Sequence, residues 1–381
     1  MRFRGAAAAA IVVVAGCSGS EDVRTAPPTT TPSVAATPAP SATTAAPAAT
    51  FPGRTWERAD AGDWGDLDAE LRRDGSTCVA VIRDGRLVHD AYWNGGSERT
   101  GTRVYSIMKS LTALLVGMQV DDGTLALDDS ASEQVDEWRG TVAEAITVRS
   151  LLSMTSGRRW SDATDRQMIR STADQTSFAV GADQQREPGE EWVYDNTAAQ
   201  TLESVLDDVT ESDDVVAMAG DRLLGPLGMR DTVWGRDAAG NALTYSGGTS
   251  TCLDLARVGH LMLNEGQWAG EQLLSSAMVD EITTPSSQRN AAYGLLWWNN
   301  SPGRIVEILR QAGFPTDKPA YEGQLAPSVP ADAFWALGYG NQYIAVVPSE
   351  NVVAVRLGAR PATPDRATFD SFTAGVLDAL D

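Results

Sequence analysis

The sequence predicts an α/β fold of the α+β type, an antiparallel sheet flanked by helices with an all-helical subdomain inserted in the middle. Two observations lead to this prediction. Runs rich in β-branched and aromatic residues stand near both ends of the globular part, whereas the middle, to about Met229, has the apolar spacing of helices. We therefore expect one sheet built from strands of both termini, and 381 residues are enough for a large core.

The first strands are predicted as a hairpin in "CVAVIRDGRLVHDAYW", from Cys78 to Trp93. Two β-rich runs flank Asp84-Gly85, a dipeptide suited to a tight turn. This hairpin supplies the N-terminal part of the predicted sheet.

A helix is predicted next, in "VYSIMKSLTALLVGMQV" from Val104 to Val120, which is apolar on nearly every helical face. "DDGTLALDD", from Asp121 to Asp129, predicts a turn and a short hairpin. The predicted helical insertion covers about 111–229. It contains two segments with helical apolar spacing and one that breaks the pattern, namely "TVRSLLSMTSG" (147–157), "TAAQTLESVLDDVT" (197–210) and "GPLGM" (225–229).

The C-terminal part begins with an amphipathic helix in "TCLDLARVGHLMLNEG", 251–266. It then returns to segments with strand character and ends in a predicted helix near "TFDSFTAGVLDAL". The predicted strands are "AYGLLWW" (292–298), "AFWALGYGNQYIAVVP" (333–348) and "NVVAVRLG" (351–358).

The N-terminus reads as a targeting segment. A basic start, "MRFRG", precedes an apolar run too short to span a bilayer, and the run ends in "VAGC", which resembles a bacterial lipobox. We expect residues 1–17 to be a lipoprotein signal peptide with lipidation at Cys17, and 18–55, rich in Ala, Pro, Thr and Ser, to be a disordered linker before a domain at 56–381. The protein would then be extracytoplasmic and lipid-anchored to the cell membrane. An ordinary secretory signal with a chance cysteine is the alternative.

The formal net charge of −21 opposes binding to nucleic acid and to anionic lipid headgroups. Besides Cys17 the chain has two cysteines, Cys78 and Cys252. Outside the cytoplasm they would either form a disulfide or remain two buried thiols, and the sequence leaves both alternatives open.

Lys109 is unusual in this chain. Only Lys109 and Lys318 among the 30 basic residues are lysines, and Lys109 carries the single charge of an otherwise apolar helical segment. Ser106 and Lys109 stand at i and i+3, so a helix places them on one face. Burial lowers a lysine pKa, and a neutral amine beside a hydroxyl can accept its proton, which an arginine cannot do. The alternative is a chance Ser-x-x-Lys in which the serine is an N-cap.

With "SIMKS" at 106–110, the chain resembles the serine β-lactamase and penicillin-binding-protein superfamily. The nearer likeness is to its class C-like branch of esterases and 6-aminohexanoate-oligomer hydrolases. "PGEEWVYDN", 188–196, is similar to the second family motif, Tyr-x-Asn. Further stretches follow in the family's order over about residues 75–375, namely "LLSMTSG", "PLGM", "GGTSTCLDLARVG" and "LGYGNQYIAVVP". The resemblance implies a β-lactamase/transpeptidase-like fold.

The resemblance also implies roles for the matching residues. Ser106 would form an acyl-enzyme, and Lys109 and Tyr194 would share its proton, with a tyrosine pKa lowered by the lysine charge. Asn196 would bond Lys109 or the substrate, unless it is the N-cap of the next helix. The oxyanion would be held by the backbone N–H of Ser106 and by that of Gln342.

The third family motif departs from the pattern. Where a Lys-Thr-Gly or His-x-Gly is usual, this chain has Tyr339-Gly340-Asn341 without a cation. That favours a neutral ester or amide substrate over one with a carboxylate. Asp195 replaces the usual Ser or Ala of the second motif, and its role is left open. Trp297, Trp298 and Trp335 are either packing residues or an apolar wall of the site.

The sequence offers little support for a Ser-His-Asp hydrolase or for a metal-dependent enzyme. No Gly-x-Ser-x-Gly elbow stands in the folded part, and the two histidines, His89 and His260, have no serine partner motif. No metal site and no cofactor are predicted, because no His or Cys cluster has ligand spacing. A β-lactamase or D-alanyl-D-alanine carboxypeptidase-like enzyme and a non-catalytic cell-wall-binding lipoprotein remain as alternatives. The oligomeric state is left open.

Overall fold

The computed structural model describes residues 50–306, 320–359 and 368–381. The predicted signal peptide, Cys17 and the linker up to residue 49 lie outside the described residues. Residues 50–55, which the sequence placed in the linker, lie on the folded body, since Pro52 is buried and Phe51 packs against the core. No helix in these three ranges is both long enough and apolar enough to cross a membrane.

The strands from both termini form one antiparallel sheet in the order β2-β1-β12-β11-β10-β7, as the sequence predicts. The turn at Asp84-Gly85 joins β1 to β2, and both residues have positive φ. The strands of the described residues are β1 Ser76–Arg83, β2 Arg86–Tyr92, β3 Thr102–Arg103, β4 Thr249–Ser250, β5 Gln267–Trp268, β6 Glu271–Gln272, β7 Trp298–Asn299, β8 Gly303–Ile305, β9 Tyr321–Gly323, β10 Phe334–Gly338, β11 Gln342–Val347 and β12 Val352–Gly358.

Between β3 and β4 the described chain forms helices and turns. The α-helices of the described residues are α1 Gly65–Arg73, α2 Ile107–Asp121, α3 Val148–Leu152, α4 Asp162–Ser171, α5 Gln175–Val180, α6 Asn196–Val209, α7 Val215–Ala219, α8 Gly225–Leu227, α9 Cys252–Leu263, α10 Ser276–Thr283 and α11 Phe369–Leu380.

Helices cover both faces of the sheet. On one face α9 packs on β1, β11 and β12, and α2 packs on β10 and β11. Gly259 allows the close approach of α9, since a Cβ there would lie 2.4 Å from the Val353 side chain. On the other face Trp335 of β10 packs on Phe369 of α11 and donates a hydrogen bond to Thr373. The site described below lies at the N-terminal end of α2.

Two predicted elements are wrong. The strand expected over 292–298 is limited to Trp298–Asn299, because Leu296 has a left-handed backbone (φ 58°) that interrupts an extended run. The short hairpin expected over 121–129 is absent, because these residues end α2 and then form turns. The next backbone pairing after them is the isolated bridge of Ser130 with Thr147.

Cys78 and Cys252 form a disulfide between β1 and the first residue of α9, with their Cα atoms 6.2 Å apart. This decides between the two alternatives that the sequence left open. The bond closes a loop of 174 residues that includes α2 and the whole helical insertion. In the chain-entropy account, a bridge over such a long loop restricts the unfolded chain strongly.

Candidate active site

Ser106 immediately precedes α2, at a sharp turn of the backbone. Tyr105 has φ of 49°, a left-handed conformation that is unusual for an aromatic residue and typical of strained functional turns. Ser106 occupies the N-cap position, but its side chain makes no capping hydrogen bond. The hydroxyl is therefore not used to cap the helix, contrary to the alternative reading of the motif.

Lys109 is 1% exposed, one turn into α2. Its Nζ lies 3.2 Å from Ser106 Oγ, 2.6 Å from Asn196 Oδ1 and 3.0 Å from the Tyr245 carbonyl oxygen. Two of these partners can only accept a hydrogen bond, whereas the serine hydroxyl can also donate. An ammonium can donate to all three partners, and after loss of one proton the two remaining N–H groups can stay on Asn196 and Tyr245 while the lone pair faces Ser106.

Burial lowers the pKa of Lys109 to about 7, against the carboxylates of Asp165 and Asp195, which raise it. Near neutral pH a large fraction of this amine is therefore uncharged. An amine in that state can take a proton from the neighbouring hydroxyl.

Tyr194 stands on the loop before α6, with its ring centroid 4.8 Å from Lys109 Nζ. Burial raises the pKa of its phenol well above the usual range, and a hydrogen bond to Ser106 opposes that shift only in part. The lowered tyrosine pKa expected from the sequence is thus wrong in direction, because desolvation outweighs any effect of the largely neutral lysine. The phenol is therefore neutral near neutral pH.

Asn196 bridges the side chains of Lys109 and Asp165. Its Oδ1 accepts from Lys109, and its Nδ2 donates to Asp165 Oδ2 at 2.8 Å. The N-cap of α6 is Asp195, whose carboxylate accepts from the backbone N–H and hydroxyl of Thr197. This gives Asp195 a structural role that the sequence had left open, and it frees Asn196 for the lysine.

Asp165, on α4, is the site residue that sequence reasoning missed. Burial and the Asp195 charge raise the pKa of Asp165 to about 6, against the opposing effect of Lys109. Hydrogen bonds from the side chains of Trp160 and Asn196 also oppose the rise of the Asp165 pKa. On an amphipathic helix with many charges, no sequence signal separates this carboxylate from those that face solvent.

The third motif also lies beside the nucleophile turn. Tyr339, 55% exposed, begins the turn between β10 and β11, and its ring contacts that of Tyr105 edge to face at 5.6 Å. Gly338 is required by close packing, since a Cβ there would lie 2.3 Å from the Val104 carbonyl oxygen. The turn and the start of α2 are therefore held against each other.

Gln342 is placed differently from Tyr339. It is 1% exposed at the start of β11, an interior strand, and it pairs with Gly338 of β10. Its side chain donates to the carbonyl groups of Tyr339, Gly340 and Gly358 and accepts from the Gly358 N–H. The expected role of its backbone N–H in an oxyanion hole stays a prediction.

The three tryptophans divide between the site and the core. Trp298 packs against the Tyr194 ring at 6.1 Å, together with Trp192 and Tyr293. Trp297 points the other way, where its indole N–H donates to the Ser110 carbonyl. Trp335 lies on the α11 face of the sheet, so only Trp298 adjoins the candidate site.

Comparison with known proteins identifies a family to which this chain is similar. The model of the Beta-lactamase family matches residues 67–375. The 6-aminohexanoate-dimer hydrolase of Paenarthrobacter ureafaciens is 22% identical over 273 residues, which are 64% of this chain and 69% of that protein.

Solved structures show the same fold. The structure assigned as a 6-aminohexanoate-dimer hydrolase from Bacillus anthracis has a TM-score of 0.68 at 19% identity and covers 87% of each chain. EstCE1, a hydrolase with promiscuous acyltransferase activity, has a TM-score of 0.61 at 16% identity and covers 83% of this chain and 95% of its own.

Proposed function

The chain belongs to the Beta-lactamase family of serine hydrolases, and within it we propose a hydrolase that cleaves an ester or amide through an acyl-enzyme on Ser106. The observation that carries this proposal is the buried Lys109 amine, 3.2 Å from the Ser106 hydroxyl, with its other two partners both acceptors. An uncharged amine in that position is a general base for the nucleophile.

In the first step Lys109 takes the proton of the Ser106 hydroxyl, and Oγ forms a bond to the substrate carbonyl carbon. The carbonyl electron pair moves to oxygen. Lys109 becomes an ammonium, which donates hydrogen bonds to the oxygens of Asn196 and Tyr245. The Asp165 carboxylate stabilises its positive charge. The tetrahedral intermediate then expels the alcohol or amine.

Tyr194 is the group placed to protonate the leaving group. Its neutral phenol is hydrogen-bonded to Ser106 and adjoins Lys109. The phenol gives its proton to the departing oxygen or nitrogen and recovers one from the Lys109 ammonium. Water then attacks the acyl-enzyme with the same groups acting in reverse.

Two backbone N–H groups would hold the oxyanion. One is that of Ser106, at the beginning of α2, where helix geometry leaves N–H groups without acceptors. For the other we now prefer Tyr339 to Gln342. The Ala333 carbonyl accepts from Asn300 on the β7 side, and the bonding groups of successive strand residues alternate between edges. Within β10 this alternation turns Gly338 toward β11 and Gln342, and Tyr339 is the next residue, at the start of the turn that contacts Tyr105.

The preferred substrate is a neutral ester or amide. No cation stands in the turn Tyr339-Gly340-Asn341 to bind a substrate carboxylate. The relatives named above as 6-aminohexanoate-dimer hydrolases and as a promiscuous acyltransferring hydrolase support acyl transfer outside the β-lactams. Turnover of nitrocefin faster than that of short-chain p-nitrophenyl esters would reverse this preference in favour of a β-lactamase.

A fluorophosphonate probe tests the function directly. We expect stoichiometric labelling of Ser106 in the wild type and none in Ser106→Ala, as judged by mass spectrometry of the modified peptide. Absence of labelling together with tight binding of cell-wall fragments would instead support the non-catalytic lipoprotein.

We also propose that the protein is anchored outside the cytoplasm by a lipid on Cys17. The Cys78–Cys252 disulfide supports an oxidising compartment. The full-length protein should partition into the detergent phase of Triton X-114, and Cys17→Ser should move it to the aqueous phase. Detergent partitioning that survives this substitution would contradict the anchor.

A further inference from the structure

Arg356 is a second buried cation close to the proposed active site. It lies on β12 with 0% exposure, and no carboxylate of the described residues accepts a hydrogen bond from it. Its five hydrogen bonds reach Ser76 Oγ (2.9 Å) and the carbonyl oxygens of Gly340 (3.0 Å), Asn341 (2.5 Å), Asp74 (3.2 Å) and Ala359 (3.1 Å).

The guanidinium keeps its charge despite burial. Desolvation lowers the pKa of Arg356 to about 10, which is still far above neutral pH. A buried charge is costly unless dipoles or opposite charges compensate it, and the Asp74 charge opposes the fall in the Arg356 pKa only in part. Here backbone carbonyls supply those dipoles, and two of them, Gly340 and Asn341, belong to the turn of the third motif.

Gln342 holds the same turn from the same side. Its amide nitrogen donates to the carbonyl oxygens of Tyr339 and Gly340, at 3.3 and 2.8 Å. Three consecutive carbonyls, those of residues 339–341, are thus directed into the protein interior. Because a trans peptide is planar, each inward carbonyl has its N–H directed the opposite way.

The turn is in contact with the nucleophile on its other side. Gly338 packs against the Val104 carbonyl, and the Tyr339 ring packs on Tyr105. Displacement of the turn would therefore move the backbone next to Ser106. Arg356 itself is fully buried and has no access to a substrate.

We propose that Arg356 is a positioning residue for acyl transfer, which fixes the Tyr339–Asn341 turn from inside the sheet. This inference rests on the proposed function. A turn held in one position keeps its backbone donor where negative charge develops on the substrate oxygen in the transition state.

The test compares Arg356→Lys and Arg356→Met with Arg257→Met. Arg257 is a matched control, because its buried guanidinium also donates only to carbonyls, those of Leu227, Gly53 and Arg54, away from Ser106. For p-nitrophenyl acetate we expect kcat to fall by about 10–100-fold in Arg356→Met, with KM changed by less than about 3-fold, because a misplaced oxyanion donor affects the transition state. Arg356→Lys should recover part of that loss.

The control separates this role from simple stabilisation. Both methionine variants should unfold at a lower temperature, but Arg257→Met should keep its kcat. If Arg356→Met loses stability as Arg257→Met does and keeps a wild-type kcat, the inference is wrong. Should Arg356→Met fail to fold, Gln342→Met, which removes the other side-chain donor to the turn, takes its place with the same expected direction and a smaller loss.

Fluorophosphonate labelling distinguishes the two levels of the argument. Wild-type protein that is not labelled at Ser106 overturns the proposed function and this inference together. Wild-type protein that is labelled, with variants at Arg356 labelled at the same rate, overturns this inference alone. Slower labelling of the Arg356 variants, with Arg257→Met unchanged, supports it.

Discussion

Lys109 and Arg356 are both buried cations, and their surroundings treat the charge in different ways. Burial lowers the pKa of the Lys109 amine to about 7, and one of its three hydrogen-bond partners is a hydroxyl that can give up its proton. The pKa of the Arg356 guanidinium is lowered only to about 10, and four of its five hydrogen bonds reach backbone carbonyls. Burial of similar depth therefore yields an amine that can lose its proton in one region and a lasting charge in the other.

The difference follows from the two side chains. A lysine within the core titrates in the physiological range, whereas a guanidinium does not. The chain uses arginine nearly everywhere and has one of its two lysines at the proposed site of proton transfer. Exchanging or disturbing these groups is the most direct way to test that division.

The largest effect is expected for Lys109→Arg. The guanidinium cannot accept the Ser106 proton, so kcat should fall by about 10³–10⁴-fold while the fold persists, as measured by ester turnover and circular dichroism. Near-normal turnover of Lys109→Arg would show that no proton is transferred to residue 109.

Tyr194→Phe should have the next largest effect. It removes the phenol proton but keeps the ring that packs on Trp298, so we expect kcat to fall by about 10²–10³-fold with little change in stability. An amide substrate should suffer more than a p-nitrophenyl ester, because only the poor leaving group needs protonation. Equal losses for both substrates would argue against the proton-donor role.

The pH profile should be altered by Asp165→Asn. Lys109 must be neutral to act, so kcat/KM should rise with pH through the lysine pKa of about 7. The Asp165 carboxylate raises that pKa, and its removal should therefore shift the profile to lower pH, by about one unit. The amide can still accept or donate toward Asn196, which limits structural damage. A shift toward higher pH would contradict the electrostatic argument.

The smallest effect on catalysis is expected at the disulfide. Replacing both Cys78 and Cys252 by alanine should lower the free energy of unfolding by about 2–4 kcal/mol, because the unfolded chain regains freedom. At temperatures where the variant is folded, kcat should stay within about 2-fold, since neither sulfur contacts Ser106 or Lys109 and geometry at the site is otherwise maintained. A large loss of kcat without loss of stability would mean that the bond positions the β3–β4 segment for catalysis.

Interactions within a few residues were open to prediction from the sequence. The i, i+3 spacing of Ser106 and Lys109 places both on one helical face, and Asp84-Gly85 predicts its hairpin, because helix period and turn type depend on local backbone conformation. The scarcity of lysine singled out Lys109. The resemblance to a family added Tyr194 and Asn196 and the order of the elements.

Only the tertiary structure decided the environment of those residues. Asp165, Arg356 and the pairing of Cys78 with Cys252 depend on contacts between segments far apart in the chain, and no local pattern encodes such contacts. The Tyr194 pKa is raised rather than lowered as expected for the same reason, since desolvation depends on everything packed around the phenol. The sequence alone thus determined which side chains are chemically suited to the proposed acyl transfer. Folding determined which of them are desolvated, hydrogen-bonded and charged.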